Sequence, residues 1–409
     1  MTQPGAPSKV FSSTLIMMVI IYLVLALVAY SAVSFQSPAT LGAEKFLTDY
    51  DAFYVAGLIA GEGNAGQGYY EAYLRPYQAA YADGESFMPW TYPPVVTLIM
   101  QGFASIPIGV SYVIYMAIGM IGCFWLLRKT AGAYLPGMLI LMFPVIALNV
   151  KTGQNGFHTA ALVGLFLLSY MKGLKVAGVP LGLMIIKPHL AVGLSLLTLL
   201  GWRVWTAVIA AVVVAVALAL PTLVYGSGIW SDFLNAVRES SAFLEKGAYP
   251  LERMTSVYAF LKSFHVISAV AIAIHSLVAL CALGAVVWAW AKKLPFKQLA
   301  AVVCAASVLV SPYNYDYDLM ILAVGLSFII DDLVVRTRGL ERLLGGLALW
   351  FATSMGTIAQ IADMPREGYL HLNYSIAAPI LIGLMIWSGK VLARPVPEKA
   401  WPENKVIEQ

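Results

Sequence analysis

Charge is scarce in this sequence. Only 11% of its 409 residues are Asp, Glu, Lys or Arg, whereas 60% are hydrophobic and the mean hydropathy is +0.80. Soluble globular chains carry about 25% charged and about 45–50% apolar residues. A chain this long with half the usual charge cannot cover a water-facing surface. That excludes a soluble enzyme, a disordered protein and a nucleic-acid binder, and leaves a polytopic integral membrane protein. Cysteine is scarce too. Cys123, Cys281 and Cys304 lie in apolar runs, with no C-x-x-C pair and no metal-like cluster. They read as small core residues, with no disulfide framework. Internal repeats, low-complexity tracts and linkers are also missing, so 1–409 reads as a single integral membrane domain.

What is present is a series of long uncharged runs punctuated by Lys and Arg. The first, Val10 to Phe35, exceeds the roughly 7–15 residues of a secretory signal core and is read as an uncleaved span. A polar, tyrosine-rich stretch follows, poor in basic residues. With the next segment it forms a first extracytoplasmic loop, 36–108, containing re-entrant or surface helices. Within that loop, 93–106 is bounded by Tyr92-Pro93-Pro94 and Pro107 and falls short of the ~20 residues needed to span. If it does not cross, Arg128-Lys129, Lys172/Lys175, Arg203, Lys292/Lys293/Lys297, Arg336/Arg338/Arg342 and Lys390/Arg394 all fall inside. That agreement fixes the expected topology.

The fold class is therefore all-α, a transmembrane bundle of about 12 helices with extracytoplasmic juxtamembrane helices. The expected spans are 10–34, 109–127, 132–149, 156–171, 175–187, 188–201, 204–225, 266–291, 297–310, 316–333, 340–361 and 373–393. The pair 175–187 and 188–201 meets at Lys187-Pro188 and reads as broken helices that enter and leave on the cytoplasmic side. A second extracytoplasmic loop covers 226–265, and 395–409 reads as a loose cytoplasmic tail. Both termini are expected in the cytoplasm, with the protein multi-pass in the plasma (inner) membrane.

On this topology the unusual polar residues collect at the outer face. Lys187 stands between two apolar helix halves, where an ammonium is costly, at least ~2.5–3.5 kcal/mol at a helix centre. It is either a snorkelling anchor or a cation aimed at a phosphate, with His189 as a further donor. Asp49 and Asp51 precede an amphipathic stretch from Phe53 to Gly57. They are either cap and solvated loop acids or a general base whose task desolvation favours. Asp316 and Asp318 form a second carboxylate pair that would bind a metal, hydrogen-bond a sugar or cap a helix. Gly153-Gln154-Asn155 is a tight turn with two amide side chains.

In their order, these motifs resemble the multispan GT-C glycosyltransferases of family 87, which include polyprenol-phosphate-mannose-dependent mannosyltransferases. The pieces are Asp49-Tyr50-Asp51-Ala52-Phe53-Tyr54-Val55-Ala56-Gly57, Tyr92-Pro93-Pro94, Gly153-Gln154-Asn155, Lys187-Pro188, and Ser311-Pro312 ending in Tyr317-Asp318. The family often carries His after the Ser-Pro pair, and this chain has Tyr313 there.

The resemblance implies transfer of a hexose, mannose by analogy, from a polyprenyl-phosphate-sugar donor to a lipid or glycan acceptor outside the membrane. Asp49 matches the family's base by its offset from Ala56, and Asp51 ranks second. Lys187, His189 and Arg253 are then expected at the donor phosphate. Gln154, Asn155, Tyr313, Asn314, Asp316 and Asp318 are expected around the sugar or acceptor, with no metal and no cofactor. The partners are the lipid-linked donor, the acceptor and membrane lipids, not nucleic acid. The rival readings are a secondary transporter, which would need matched halves with two broken helices where only one is found, and a flippase or polymer ligase of lipid-linked sugars.

Overall fold

The computed structural model describes residues 13–42, 45–82, 87–245, 249–362 and 374–396, with 359–362 as backbone only. Among the described residues 81% are helical and none lies in a strand, so helix packing buries the apolar surface. Among the described residues, four helices are long and apolar enough to cross a membrane: Thr14–Ser34, the run Ile108–Leu141, Val204–Tyr225 and Ser268–Ala291. Val204–Tyr225 leaves Val212, Leu220 and Leu223 exposed. An apolar helix with so little cover suits lipid rather than water.

Six further apolar helices have 10–17 residues, among them Gly156–Met171, Phe296–Leu309 and Ala377–Leu392. Each of the twelve expected spans carries helix; among the described residues four helices combine full-span length with the apolar character to cross, and Gly339–Ala362 also has 24 residues. Proline and glycine account for part of the difference. The expected span 132–149 begins with a 3-10 turn at Gly132–Tyr134 and then splits into Leu135–Leu141 and Phe143–Thr152, with Pro136 and Pro144 in their first turns. The expected tail lies outside the described residues beyond Val396.

The segment 93–106 forms the helix Pro94–Phe103, ten residues and about 15 Å long, half the ~30 Å hydrocarbon thickness. It lies against the helix Asp49–Gly61, and Gly57 makes the approach possible. A Cβ there would stand 2.2 Å from the Met100 carbonyl oxygen. Tyr54 donates from its hydroxyl to Ile106 O at 2.9 Å, tying helix Asp49–Gly61 to the end of the segment 93–106.

The chain reverses direction at Lys187. Lys175–Ile186 leads into it and Pro188–Leu200 leads out. The backbone there (φ −144°, ψ 76°) is not helical, and Pro188 has no N–H with which to continue the ladder. Both outer ends of the pair meet at one end of the bundle. Tyr170 donates from its hydroxyl to Leu197 O at 3.1 Å, Lys175 lies 5.3 Å from the Trp205 ring, and Arg203 lies 5.0 Å from the Tyr170 ring. One straight helix over 175–201 would hold those ends about 40 Å apart. Lys187 is thus the apex of a V, far from the basic residues at its feet.

Candidate active site

A cavity of about 730 Å³ opens at the apex end. Four stretches distant in sequence build it: the start of helix Asp49–Gly61, the segment Phe87–Pro93, the Lys187 apex, and the segment Tyr313–Asp318. The second loop closes it with Phe233 and Val237 of helix Gly228–Glu245 and with Arg253.

Hydrogen bonds fix each wall. Gln78 clamps Met88, donating to its carbonyl at 2.8 Å and accepting from its N–H at 3.1 Å. Tyr69 donates to the Tyr92 carbonyl at 2.9 Å, and Trp90 Nε1 donates to Thr97. The second loop docks on the Tyr313 segment through Thr255 N–H to Asn314 O at 2.8 Å, Asn314 Nδ2 to Thr255 Oγ1 at 2.6 Å, and a β-bridge between Met254 and Tyr315. Asn149, fully buried, accepts from Gly156 N–H and donates to Tyr317 O, both at 3.0 Å, joining two further elements.

The two early aspartates do different things. Asp51 is 0% exposed and turned into its own helix start. It accepts from Thr48 N–H at 3.0 Å and Thr48 Oγ1 at 2.9 Å, which makes a capping box, and it pairs with Lys45 at 2.7 Å. Burial pushes its carboxyl up, and Lys45 opposes that. Asp51 does not line the cavity. Asp49 does. Its Oδ1 accepts from Gln154 Nε2 at 2.8 Å, while Oδ2 is buried with no hydrogen-bond partner. A buried carboxylate oxygen left unpaired is costly, so the site holds a strong acceptor in reserve.

Two ion pairs face Asp49. Lys187, 6% exposed, donates to Asp318 Oδ1 at 2.7 Å, and Arg253 reaches both oxygens of Asp316 at 3.2 and 3.3 Å. Burial works against the Arg253 guanidinium, but the Asp316 carboxylate outweighs it and holds the group above its ordinary value. Both cations lie over the same ring: Lys187 is 4.4 Å and Arg253 5.8 Å from the centroid of Tyr317, which stacks on Tyr315. An ammonium has three donors and a guanidinium five, so each keeps donors beyond those its aspartate engages. Asp318 also accepts from Tyr315 N–H at 3.4 Å, capping the turn Asp316–Leu319 in which it lies.

Of the other expected residues, Gln154, His189 and Tyr313 line the cavity, whereas Asn155, Asn314 and Asp316 stand behind its wall. Sequence reading gave no role to Trp90, Tyr92, Glu71 or Arg75, which also line it. Only the Tyr92-Pro93-Pro94 run carried a signal. Among the described residues, no group of three or more His, Cys, Asp or Glu is placed to hold a metal ion.

No curated protein and no solved structure matches the chain. A family model, glycosyltransferase family 87, matches residues 90–312, more than half of the chain, and its range takes in Tyr92, Gln154, Lys187 and Arg253. The chain belongs to glycosyltransferase family 87 and is a GT-C-like membrane glycosyltransferase.

Proposed function

We propose that the protein transfers a hexose, mannose in our reading, from a polyprenyl-phosphate-sugar to a hydroxyl of a lipid or glycan acceptor at the extracytoplasmic face. One observation carries the reading: a carboxylate with an uncommitted oxygen, Asp49, shares a cavity with two buried cations that keep spare donors, Lys187 and Arg253. In the proposed step the acceptor O–H proton passes to Asp49. The acceptor oxygen bonds to the anomeric carbon as the bond from that carbon to the phosphate oxygen breaks, with inversion. The charge gained by the departing lipid phosphate falls on Lys187 and Arg253, with His189 as a further donor. Stabilising that charge and removing that proton are the two tasks the chemistry sets. Tyr313 and Asp318 are the remaining proposed sugar contacts.

The donor class is tested with purified protein in lipid. Labelled sugar is expected to pass from a polyprenyl-phosphate-sugar and not from a nucleotide-sugar, with the product's anomeric configuration inverted. Transfer from the nucleotide-sugar alone, or retention, would contradict the reading.

The basic end of the bundle supports the proposed orientation. Gly156–Met171 starts beside Gln154 and ends at Lys172, and Met320–Arg336 starts beside Asp318 and ends at Arg336. Each runs about 25 Å away from the cavity. Lys172, Lys175, Arg203 and Arg336 therefore gather opposite it, and a basic end is a cytoplasmic end. In a background lacking the three native cysteines, Ser105→Cys is expected to react with an impermeant thiol reagent from outside. Lys172→Cys should react only after permeabilisation. The reverse pattern would put the cavity in the cytoplasm.

A further inference from the structure

We infer that Gln154 is a positioning residue for Asp49, held to that task by Tyr92 and the backbone of Asn155. The inference rests on Asp49 being the base, as proposed above. Gln154 is 2% exposed. Its Oε1 accepts from the Asn155 backbone N–H at 2.9 Å. A backbone N–H only donates, so the amide has one orientation: oxygen toward Asn155, nitrogen toward Asp49, 2.8 Å from Oδ1. Tyr92 adds a second donor to Oε1 at 3.3 Å, and its own oxygen accepts from Asn155 Nδ2 at 3.3 Å. Burial pushes the Tyr92 phenol up, so it keeps the proton it donates.

The turn itself forces this arrangement. Gly153 ends helix Phe143–Thr152 in the left-handed region (φ 67°), and a Cβ there would stand 2.5 Å from Tyr50 Cβ. The turn thereby delivers Gln154 to Asp49 across 105 residues of sequence.

Two consequences follow. A hydrogen bond donated to a carboxylate in general favours the form a base needs, so a change at Gln154 is read in the pH dependence of the rate. Occupying Oδ1 also leaves Oδ2 as the oxygen that meets the acceptor hydroxyl. The charged groups around Asp49 are Lys187 with Asp318 and Arg253 with Asp316, and Glu71 and Arg75 line the same cavity. The phenols Tyr92, Tyr115, Tyr315 and Tyr317 surround it, and His189 lines the same cavity. Any pH effect must be separated from His189.

The test is the pH–rate profile of the purified enzyme in lipid. Gln154→Glu keeps the shape but replaces the donor with a second carboxylate. Its acidic limb should move up by about one pH unit or more, the size expected of a like charge within ~4–6 Å. Tyr92→Phe, which only loosens the amide, should move the limb the same way by less, and it serves alone if Gln154→Glu does not fold. Both shifts should persist in a His189→Gln background. Limbs that superimpose on the parent's, whatever the loss of rate, would overturn the inference. So would an effect confined to the KM of donor or acceptor, or a shift that vanishes with His189. Asp49→Asn separates the two claims: if it stays active, the base itself is wrong. If it is inactive while the limb does not move, only the role of Gln154 is wrong.

Discussion

Replacing Asp49 with asparagine is expected to lower transfer by about 10²–10⁴-fold, the usual worth of a general base, while the fold persists. The change is nearly isosteric, and the Oδ1 that receives Gln154 Nε2 survives as the amide oxygen. What disappears is the capacity of the free Oδ2 to take a proton. Asp51→Asn should behave in the opposite way. It removes the partner of Lys45 and half of a capping box, so thermal stability should fall while turnover in the molecules that remain folded stays near the parent's. Measuring initial rate and melting temperature together on both variants separates the two carboxylates. A stable, fast Asp49→Asn with a slow Asp51→Asn would move the base to Asp51, and two fast variants would remove general-base catalysis from the account.

The second large effect concerns Lys187. Lys187→Met keeps the stem and removes the ammonium, and is expected to weaken the apparent affinity for the lipid-phosphate donor by about 10- to 100-fold. That is the worth of one hydrogen bond to a charged group, about 1.5–3 kcal/mol. The acceptor's apparent affinity should change much less. Asp318 complicates the single variant, because its carboxylate would be left buried and unpaired, and breaking such a pair costs about 3–5 kcal/mol. The double variant Lys187→Met/Asp318→Asn removes both charges. It should recover stability without recovering donor affinity. A double variant with normal donor affinity would leave Lys187 as a structural partner of Asp318 and move the phosphate to Arg253 or His189.

How much of this was legible in the sequence depends on the distance over which each feature is built. The all-helical membrane class follows from composition, which no tertiary contact alters. The non-helical break at Lys187 was legible because a proline follows an ammonium inside an apolar run, and both facts are local. The short helix Pro94–Phe103 was legible from its bounding prolines. Span length was less so, since Leu135–Leu141 and Phe143–Thr152 divide a run whose hydropathy is continuous.

The partners of the polar residues were not legible. Nothing near Lys187 in sequence points to the carboxylate beside it, Asp318, 131 residues away. Likewise nothing near Gln154 points to Asp49, and nothing near Asn314 says that it faces Thr255 rather than a sugar. These pairings are made by packing of helices far apart in sequence, and no periodicity encodes them. The division of labour between Asp49 and Asp51 lies between. Thr48 and Asp51 have capping-box spacing, so the sequence offers Asp51 a structural task, but only the fold leaves Asp49 an oxygen to spare.

In the proposed mechanism one cavity holds the donor phosphate on Lys187 and Arg253 and presents the anomeric carbon to a hydroxyl activated by Asp49. The most direct measurement is an experimental structure of the protein with a non-transferable polyprenyl-phosphate-sugar analogue. Phosphate oxygens are expected within hydrogen-bond distance of Lys187 Nζ and the Arg253 guanidinium. The sugar should point toward Asp49 with room beside Oδ2 for an acceptor hydroxyl. A phosphate bound at the opposite, basic end near Lys172 and Arg203, or a sugar turned away from Asp49, would contradict it.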